Sequence, residues 1–410
     1  MGFHTTFRSL QYRNYRLFFA GQSISLIGTW MQRIATPWLV YDLTHSVFLL
    51  GLVGFIGQLP ISLLAPFAGV FSDRWNRYHI LVVTQILAMI QALILAWLVL
   101  AGSVDIPHII GLAGFLGCVS AFDIPARQSL IVHLVEKKED LGNAIALNSS
   151  MVNGARMVGP SIAGLLIAVS GEGVCFLLNG LSYIFVIWSL LLMRVTLQPP
   201  DKKRKSVFNE LREGIAYTVG FAPIRYALLL LTLASLVAMP YIVLMPVFAR
   251  EILSGGADTY GFLMGASGVG ALTGAFYLAS RKSVSGLEKI IPRAAVCFGG
   301  GLILFSFSRW YPLSLLLMVV SGFGMMLMMA SSNTVIQNVV EERMRGRVMS
   351  FFTVSIMGMA PFGSLLAGSV AKEIGTPMTI MLGGVFCILG ALLFIGKLAE
   401  ITRAIDCKPM

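Results

Sequence analysis

Long apolar runs separated by short polar turns dominate the chain. Most of the runs hold about twenty residues, the length that an α-helix needs to cross ~30 Å of hydrocarbon. We predict twelve membrane spans, at about 17–41, 47–71, 78–101, 107–124, 143–169, 173–193, 225–249, 259–280, 289–308, 311–333, 347–371 and 376–398. The longest polar segment, 196–214, separates the first six spans from the last six and is predicted to be a partly amphipathic cytoplasmic linker.

The two halves of the chain repeat each other at a nearly constant offset. At 205 residues the pairs are Gly51 with Gly256, Gly69 with Gly274 and Arg77 with Lys282, and at 204 they are Gly154 with Gly358, Gly159 with Gly363 and Gly164 with Gly368. Parallel six-helix repeats build a central cavity in one class of transporters. We therefore expect an all-α membrane protein with two pseudo-twofold-related six-helix bundles, residues 1–195 and 215–410, joined by the linker 196–214.

Composition and charge agree with this pattern. Hydrophobic residues make up 57% of the 410 residues and charged residues only 12%, about half the charged fraction of a typical soluble domain. With the N-terminus in the cytoplasm, 25 of the 30 Lys and Arg residues lie on the cytoplasmic side. The positive-inside rule then places both termini in the cytoplasm, and the net charge of +11 requires no nucleic-acid partner.

The sequence does not indicate an enzyme, a metal site or a cofactor. The five cysteines are scattered and form no CxxC pair. No GxxxxGK[ST] motif for a nucleotide is present, and the five histidines lie at or outside the ends of the spans. The partners that we expect are the lipid bilayer and a small-molecule cargo.

A charged turn follows the second span and reads "GVFSDRWNR". Gly69 allows a neighbouring helix to approach closely, and Asp73 can accept hydrogen bonds from the N-terminus of another helix. Arg77 can pair with a carboxylate, for which Asp123 at the end of the fourth span is the candidate. The alternative is a solvated positive-inside loop. We call the predicted cluster the latch, and its residues are Gly69, Asp73, Arg74, Arg77, Asp123 and Arg127.

This turn resembles the signature loop of the major facilitator superfamily. The segments "SLIGTWMQRIATPWLVYDLT", "FDIPARQSLIVHLV", "GNAIALN", "ARMVGPSIAGLL" and "RMRGRVMS" resemble its bacterial branch of drug and siderophore exporters, the enterobactin exporter group. The resemblance covers almost the whole chain. It implies a monomeric secondary transporter of the bacterial cytoplasmic membrane that works by alternating access. It also implies that Asp73 engages the eleventh helix in the outward-open state and that Arg77 pairs with Asp123.

Two motifs depart from the pattern of that superfamily. The second copy of the loop, "GAFYLASRK", keeps Gly274 and Lys282 but has Leu278 in place of the Asp, so we expect a weaker second latch. In the fifth span, "ARMVGPSIAG" is similar to the exporters' antiporter motif. Gly159, Pro160 and Gly164 are in place, and they are predicted to let the fifth helix bend against the eighth. Plain close packing is an equal alternative to a specific antiport role.

Arg33 and Arg156 are the charged residues predicted to lie deep in spans. A charge there is costly and indicates function by default, although bracing of neighbouring helices is as plausible as a place in the cavity. Further candidates for the cavity are Gln32, Gln58, Asn148, Asn153, Met325, Asn333 and Gln337. The family implies proton coupling, but no acid lies deep in a span. Asp42 is the proton-coupling candidate by elimination, with a structural cap as the alternative.

The cargo follows from these charges. Two arginines without a buried acid favour an anionic or neutral amphiphile, such as a siderophore or a drug-like molecule, over a cation. The leading expectation is therefore export of small amphipathic organic molecules. Transport of a lysophospholipid or another lipid between leaflets is the alternative, and nutrient import is less favoured.

Overall fold

The protein is almost entirely helical in a computed structural model that describes residues 7–74, 76–194, 207–281 and 283–406. Within these ranges the side chains of residues 65–74, 138, 207–211 and 406 are not described. The described residues form no strand. The all-α prediction is therefore confirmed.

The first half contains six long helices after one 3-10 turn at Arg8–Gln11. They are α1 (Arg13–Thr44), α2 (Val47–Arg74), α3 (Arg77–Leu100), α4 (Ile106–His133), α5 (Lys138–Ser170) and α6 (Glu172–Leu191). Their ends follow local signals. Asn76 caps α3 by accepting a hydrogen bond from the backbone N–H of Tyr78, and His45 ends α1 in the left-handed region, at φ 48°.

The second half begins with the surface helix α7 (Val207–Gly220) and then repeats the plan of six long helical segments. These are α8 (Ala222–Ile252), α9 (Ala257–Ser280), α10 (Leu287–Phe307), α11 (Tyr311–Val339), α12 (Glu342–Ile374) and α13 (Thr376–Gly396), followed by the short α14 (Leu398–Asp406). Single π-helical turns interrupt α8 at Ala234–Ala238 and Phe248–Ile252, and α12 at Val354–Gly358.

Eleven helices among the described residues are long and apolar enough to cross a membrane. The remaining predicted span, α1, is 32 residues long, but Gln22, Gln32 and Arg33 interrupt its apolar residues. The predicted linker divides at the start of α7: residues 196–206 lie outside the described part of the chain, and 207–214 are helical. The chain is a multi-pass membrane protein.

The chain forms two compact units. The first contains residues 1–45, 56–201 and 255–265, and its core lies where α6 packs against α1 and α3. The second contains residues 46–55, 202–254 and 266–410, and there α10 packs against α11 and α13. Aromatic contacts fill the core of the second unit, including the stacked rings of Phe248 and Phe305, whose centroids are 4.2 Å apart.

Candidate functional site

The arginines predicted to lie deep in the first and fifth spans meet at one tryptophan. The guanidinium carbon of Arg33 lies 4.8 Å from the centroid of the Trp30 ring, and that of Arg156 lies 5.8 Å from it. Both distances are within the ~6 Å at which an aromatic ring attracts a cation. Arg33 is exposed, whereas Trp30 and Arg156 are half-buried. We call these three residues the arginine–tryptophan cluster.

Gly159 holds α5 close to α1 at this cluster. A Cβ at Gly159 would lie 2.6 Å from the Cβ of Trp30 and 3.2 Å from the carbonyl oxygen of Ile27, so a larger residue would push the helices apart. Arg156 precedes Gly159 by three residues and therefore lies on the same face of α5. The antiporter-like motif thus places Arg156 over Trp30.

The remainder of that motif contacts the start of α9 within the first unit. A Cβ at Gly164 would lie 2.7 Å from the carbonyl oxygen of Ala257, and one at Gly261 would lie 2.5 Å from the carbonyl oxygen of Pro160. The expected contact between the fifth and eighth spans is therefore present. Its chemistry is close packing of small residues.

Asp123 is the centre of a buried polar network that joins α1, α3 and α4. Its Oδ1 accepts hydrogen bonds from Thr84 at 3.0 Å and from Gln85 at 2.6 Å, and its Oδ2 forms an ion pair with Arg127. Arg127 also donates to Oε1 of Gln22 at 2.9 Å. The network ties three helices together around one carboxylate that is 7% exposed.

The structure corrects the expected pairing of Arg77 with Asp123. Among the described residues the partners of Asp123 are Arg127, Thr84 and Gln85, while Nη1 of Arg77 lies 3.0 Å from Nε2 of His133. The reason is local, because Arg127 lies one turn after Asp123 on the same helix. The side chains of Gly69, Asp73 and Arg74 lie outside the described residues, as does Lys282.

Gln32 braces helices and does not line a cavity. Its Nε2 donates to Oε1 of Gln91 at 2.9 Å, and its Oε1 accepts from Nδ2 of Asn179 at 2.6 Å. All three residues are buried, so this chain links α1 to α3 and α6. A step of one residue turns the helix by about 100°, and Arg33 therefore lies on a different face of α1.

The other cavity candidates of the first unit are spread along α2 and α5. Gln58 and Asn148 are half-buried. Asn153 donates to the backbone oxygen of Ser149 on its own helix, at 2.9 Å. This hydrogen bond of Asn153 stays within α5.

Met325 is a core residue at 3% exposure, which corrects its assignment to the cavity. The preceding Gly324 lets α11 pack closely against α10, because a Cβ there would lie 2.8 Å from the carbonyl oxygen of Ala294. Nε2 of Gln337 donates to Oδ1 of Asn333, at 2.9 Å. Asp42 is exposed in the last turn of α1, a position that fits either of its two predicted roles.

The segment that precedes α1 is tied to the first turn of α5 by Asp140. This buried carboxylate accepts from Arg8 at 2.9 Å, from Gln11 at 3.3 Å and from the hydroxyl of Tyr12 at 2.7 Å. The hydrogen bond to Asp140 raises the pKa of Tyr12 above its ordinary value, because the carboxylate favours the protonated phenol.

The corresponding segment of the second half carries the opposite charge. On α7, Oε1 of Glu213 lies 2.7 Å from Nη2 of Arg343, and its Oε2 lies 2.6 Å from Nη1 of Arg347. Both arginines lie at the start of α12, so α7 is held to the first turns of that helix. Unlike Asp140, the Glu213 side chain is 44% exposed.

Sequence reasoning missed Trp30, Asn179 and the Asp140 tie. A signal for Trp30 was present, because it precedes Arg33 by three residues and such residues share a helix face. Asp140 could have been found as an acid in the first turn of a helix, where the dipole favours it. Asn179 had no signal beyond being one amide in an apolar span.

The whole chain is similar to known transport proteins. The profile of a family described as transmembrane secretion effector matches residues 4–409. The staphyloferrin A transporter of Staphylococcus aureus is 25% identical over 93% of this chain and 96% of its own, and the enterobactin exporter EntS of Shigella boydii is 26% identical over 96% and 94%. The fold matches a bacterial homologue of the human lysosomal transporter Spinster, with a TM-score of 0.74, 14% identity and coverage of 97% and 99%.

Proposed function

Because the chain belongs to the transmembrane secretion effector family of the major facilitator superfamily, we propose that this transporter exports small amphipathic organic molecules by alternating access. The observation that carries the proposal is the arginine–tryptophan cluster on α1 and α5. Charged side chains within spans are costly and are kept where they bind cargo or ions. The name of one relative, the enterobactin exporter EntS, supports export as the direction of transport.

The proposal includes a location and a topology. The protein acts as a monomer in the bacterial cytoplasmic membrane, with both termini in the cytoplasm. Residues 1–195 and 215–410 are the two bundles that move, and 196–214 links them on the cytoplasmic side. The support is the distribution of Lys and Arg along the sequence.

The cluster favours anionic or neutral cargo over cationic cargo. Two guanidinium groups near one ring create a positive potential that attracts anions and repels cations. The acids on α1 and α5 are Asp42, Glu139 and Asp140, at the ends of those helices. At an effective dielectric constant of ~20, one guanidinium ~5 Å from a carboxylate contributes roughly 3 kcal/mol before desolvation is subtracted.

The latch controls the cytoplasmic side in this proposal. Asp73 and Arg77 act at the turn between α2 and α3, and the Asp123 network holds the inner ends of α1, α3 and α4 as one rigid element. Proton exchange occurs at Asp42, the acid nearest the outer end of α1.

The proposal can be tested in proteoliposomes loaded with self-quenched carboxyfluorescein, an anion, or with ethidium, a cation. We expect an imposed pH gradient to drive release of carboxyfluorescein at least about tenfold faster than release of ethidium. Arg156→Gln should slow the release of carboxyfluorescein and leave the release of ethidium unchanged. Asp42→Asn should make carboxyfluorescein release independent of the pH gradient. Glu373→Gln, an exposed acid at the end of α12, is the matched control for Asp42. Ethidium release that equals carboxyfluorescein release and ignores Arg156→Gln would contradict the proposed cargo.

A further inference from the structure

We propose that the arginine–tryptophan cluster is a binding site for organic dianions, in which each guanidinium group binds one acidic group. The inference deepens the proposed function, since the cargo is the ligand. It differs from a general preference for anions, because it specifies two acidic groups on one ligand and names the residue, Trp30, that sets their spacing.

The cluster holds two positive charges close together. The two guanidinium carbons lie 4.8 Å and 5.8 Å from the same ring centroid, so they can be no farther apart than these two distances added together. Two cations this close repel each other in a medium of low dielectric constant. A ligand with one acidic group neutralises only one of them. A ligand with two acidic groups neutralises both, so the second acidic group should strengthen binding markedly.

The N–H groups of Arg33 and Arg156 suit acidic groups as ligands. Arginine presents a planar fork of N–H groups that matches a carboxylate in a bidentate manner. A guanidinium held at the face of an indole keeps its N–H edges available to a ligand. Trp30 therefore restricts both forks without consuming their donors, which lowers the entropy lost when a ligand binds.

Arg33 does not brace neighbouring helices. Within the described part of the chain, Arg33 makes no ion pair or side-chain hydrogen bond, and its observed contact is the Trp30 ring. The neighbouring Gln32 already joins α1 to α3 and α6, and Arg127 joins α4 to α1. Arg33 is exposed, so its donors can reach a ligand.

The test measures binding to the purified full-length protein in detergent by isothermal titration calorimetry. The probes are phthalate, benzoate and dimethyl phthalate, which share one aromatic ring and carry two, one and no negative charges. We expect phthalate to bind at least tenfold more tightly than benzoate, and the ester to bind weakest. No measurable binding of phthalate at millimolar concentration, or equal affinity for phthalate and benzoate, would overturn the proposal.

The variants assign this preference to the cluster. Arg33→Gln and Arg156→Gln should each reduce the affinity for phthalate about tenfold and leave benzoate within about twofold. Arg33→Lys and Arg156→Lys keep the charge and should retain part of the preference. Trp30→Phe should retain it and Trp30→Leu should lower it, because phenylalanine keeps an aromatic face. Arg16→Gln, an exposed arginine of the same helix, is the control and should change nothing. Glutamine variants that bind phthalate as the wild type does would refute the assignment.

Binding and transport separate the two proposals. A preference for phthalate without any export of carboxyfluorescein from proteoliposomes would support the site and contradict the exporter. Export without a preference for the dianion would support the exporter and contradict the site. Size-exclusion profiles and melting temperatures of every variant show whether a loss of binding reflects a loss of fold.

Discussion

The two halves of the chain share a backbone plan, but the charges within their helices differ. At the repeat offset of 205 residues, Arg33 corresponds to Ala238, Asp123 to Met328 and Arg127 to Ser332, and at 204 Arg156 corresponds to Ala360. Met328, Ser332 and Ala238 are all buried. Each of these four charged residues of the first half therefore has an uncharged counterpart in the second.

The comparison separates residues that maintain the shared fold from charged residues that occur in the first half alone. Small residues that allow close packing recur in both halves, as Gly159 and Gly164 do in Gly363 and Gly368. Charges inside spans are costly, so they are found where they pair with one another, bind a ligand or take part in a switch. In the proposed function, the first half therefore recognises the charge of the cargo, and the second half contributes shape and apolar surface.

The segment that precedes the first long helix of each half is charged, but with opposite polarity in the two halves. In the first half a basic segment, with Arg8, is tied to the acid Asp140 at the start of α5. In the second half the acid Glu213 on α7 is tied to Arg343 and Arg347 at the start of α12. Glu213 follows Arg8 by the same 205 residues. The same tie is thus built twice with its charges exchanged.

The largest loss of stability is expected on substitution of Asp123, whose counterpart in the second half is the uncharged Met328. Asp123→Asn removes the negative charge that Arg127 faces and leaves a buried cation without compensation. We expect the free energy of unfolding to fall by about 3 kcal/mol. It can be measured in mixed micelles titrated with SDS. Met328→Leu, at the corresponding position, conserves volume and should cost less than about 1.5 kcal/mol.

A double-mutant cycle tests whether the ion pair is the cause. Asp123→Asn combined with Arg127→Gln removes both charges, and it should be more stable than the sum of the two single effects by about 1 kcal/mol or more. Additive effects would mean that Thr84 and Gln85, not Arg127, determine the stability contributed by Asp123.

The ion pairs of Asp140 and Glu213 should differ less in their contribution to the free energy of unfolding. Asp140→Ala leaves Arg8, Gln11 and Tyr12 without their acceptor and removes a charge that favours the start of α5, so we expect a loss of about 2 kcal/mol. Glu213→Ala breaks exposed ion pairs and should cost less than about 1 kcal/mol. Both values come from the same SDS titration. Equal losses would show that burial does not distinguish the two ties.

The fold was predictable because few backbone structures can satisfy all of their hydrogen-bonding groups inside a lipid bilayer. Apolar runs of about twenty residues must be helices there, since no water is available for their backbone groups. A long helix, α1, also forms over the first predicted span, although Gln22, Gln32 and Arg33 interrupt its apolar residues. The pair of Asp123 and Arg127 was also predictable, because residues four apart share a helix face.

The roles of Gln32 and Arg33 were not predictable from the sequence. They are adjacent and both polar, yet one is buried between helices and the other is exposed. The choice depends on the rotation of α1 about its axis. Apolar periodicity does not reveal this rotation in a membrane, because lipid and protein core are both apolar. For the same reason Met325 was assigned to the cavity when it lies in the core.

The smallest change in transport is expected on substitution of Lys282, the counterpart of Arg77. Arg77→Gln should reduce carboxyfluorescein release from proteoliposomes at least about tenfold, because the turn after α2 keeps the Asp that the latch requires. Lys282→Gln should change release less than about twofold, because Leu278 stands where that Asp would be. Introducing Leu278→Asp sharpens the comparison: in that background Lys282→Gln should become more harmful, since the lysine would gain an acid four residues away to interact with. If Lys282→Gln alone were as harmful as Arg77→Gln, the second half would possess a working latch without the acid, and the functional difference between the two loops would be refuted.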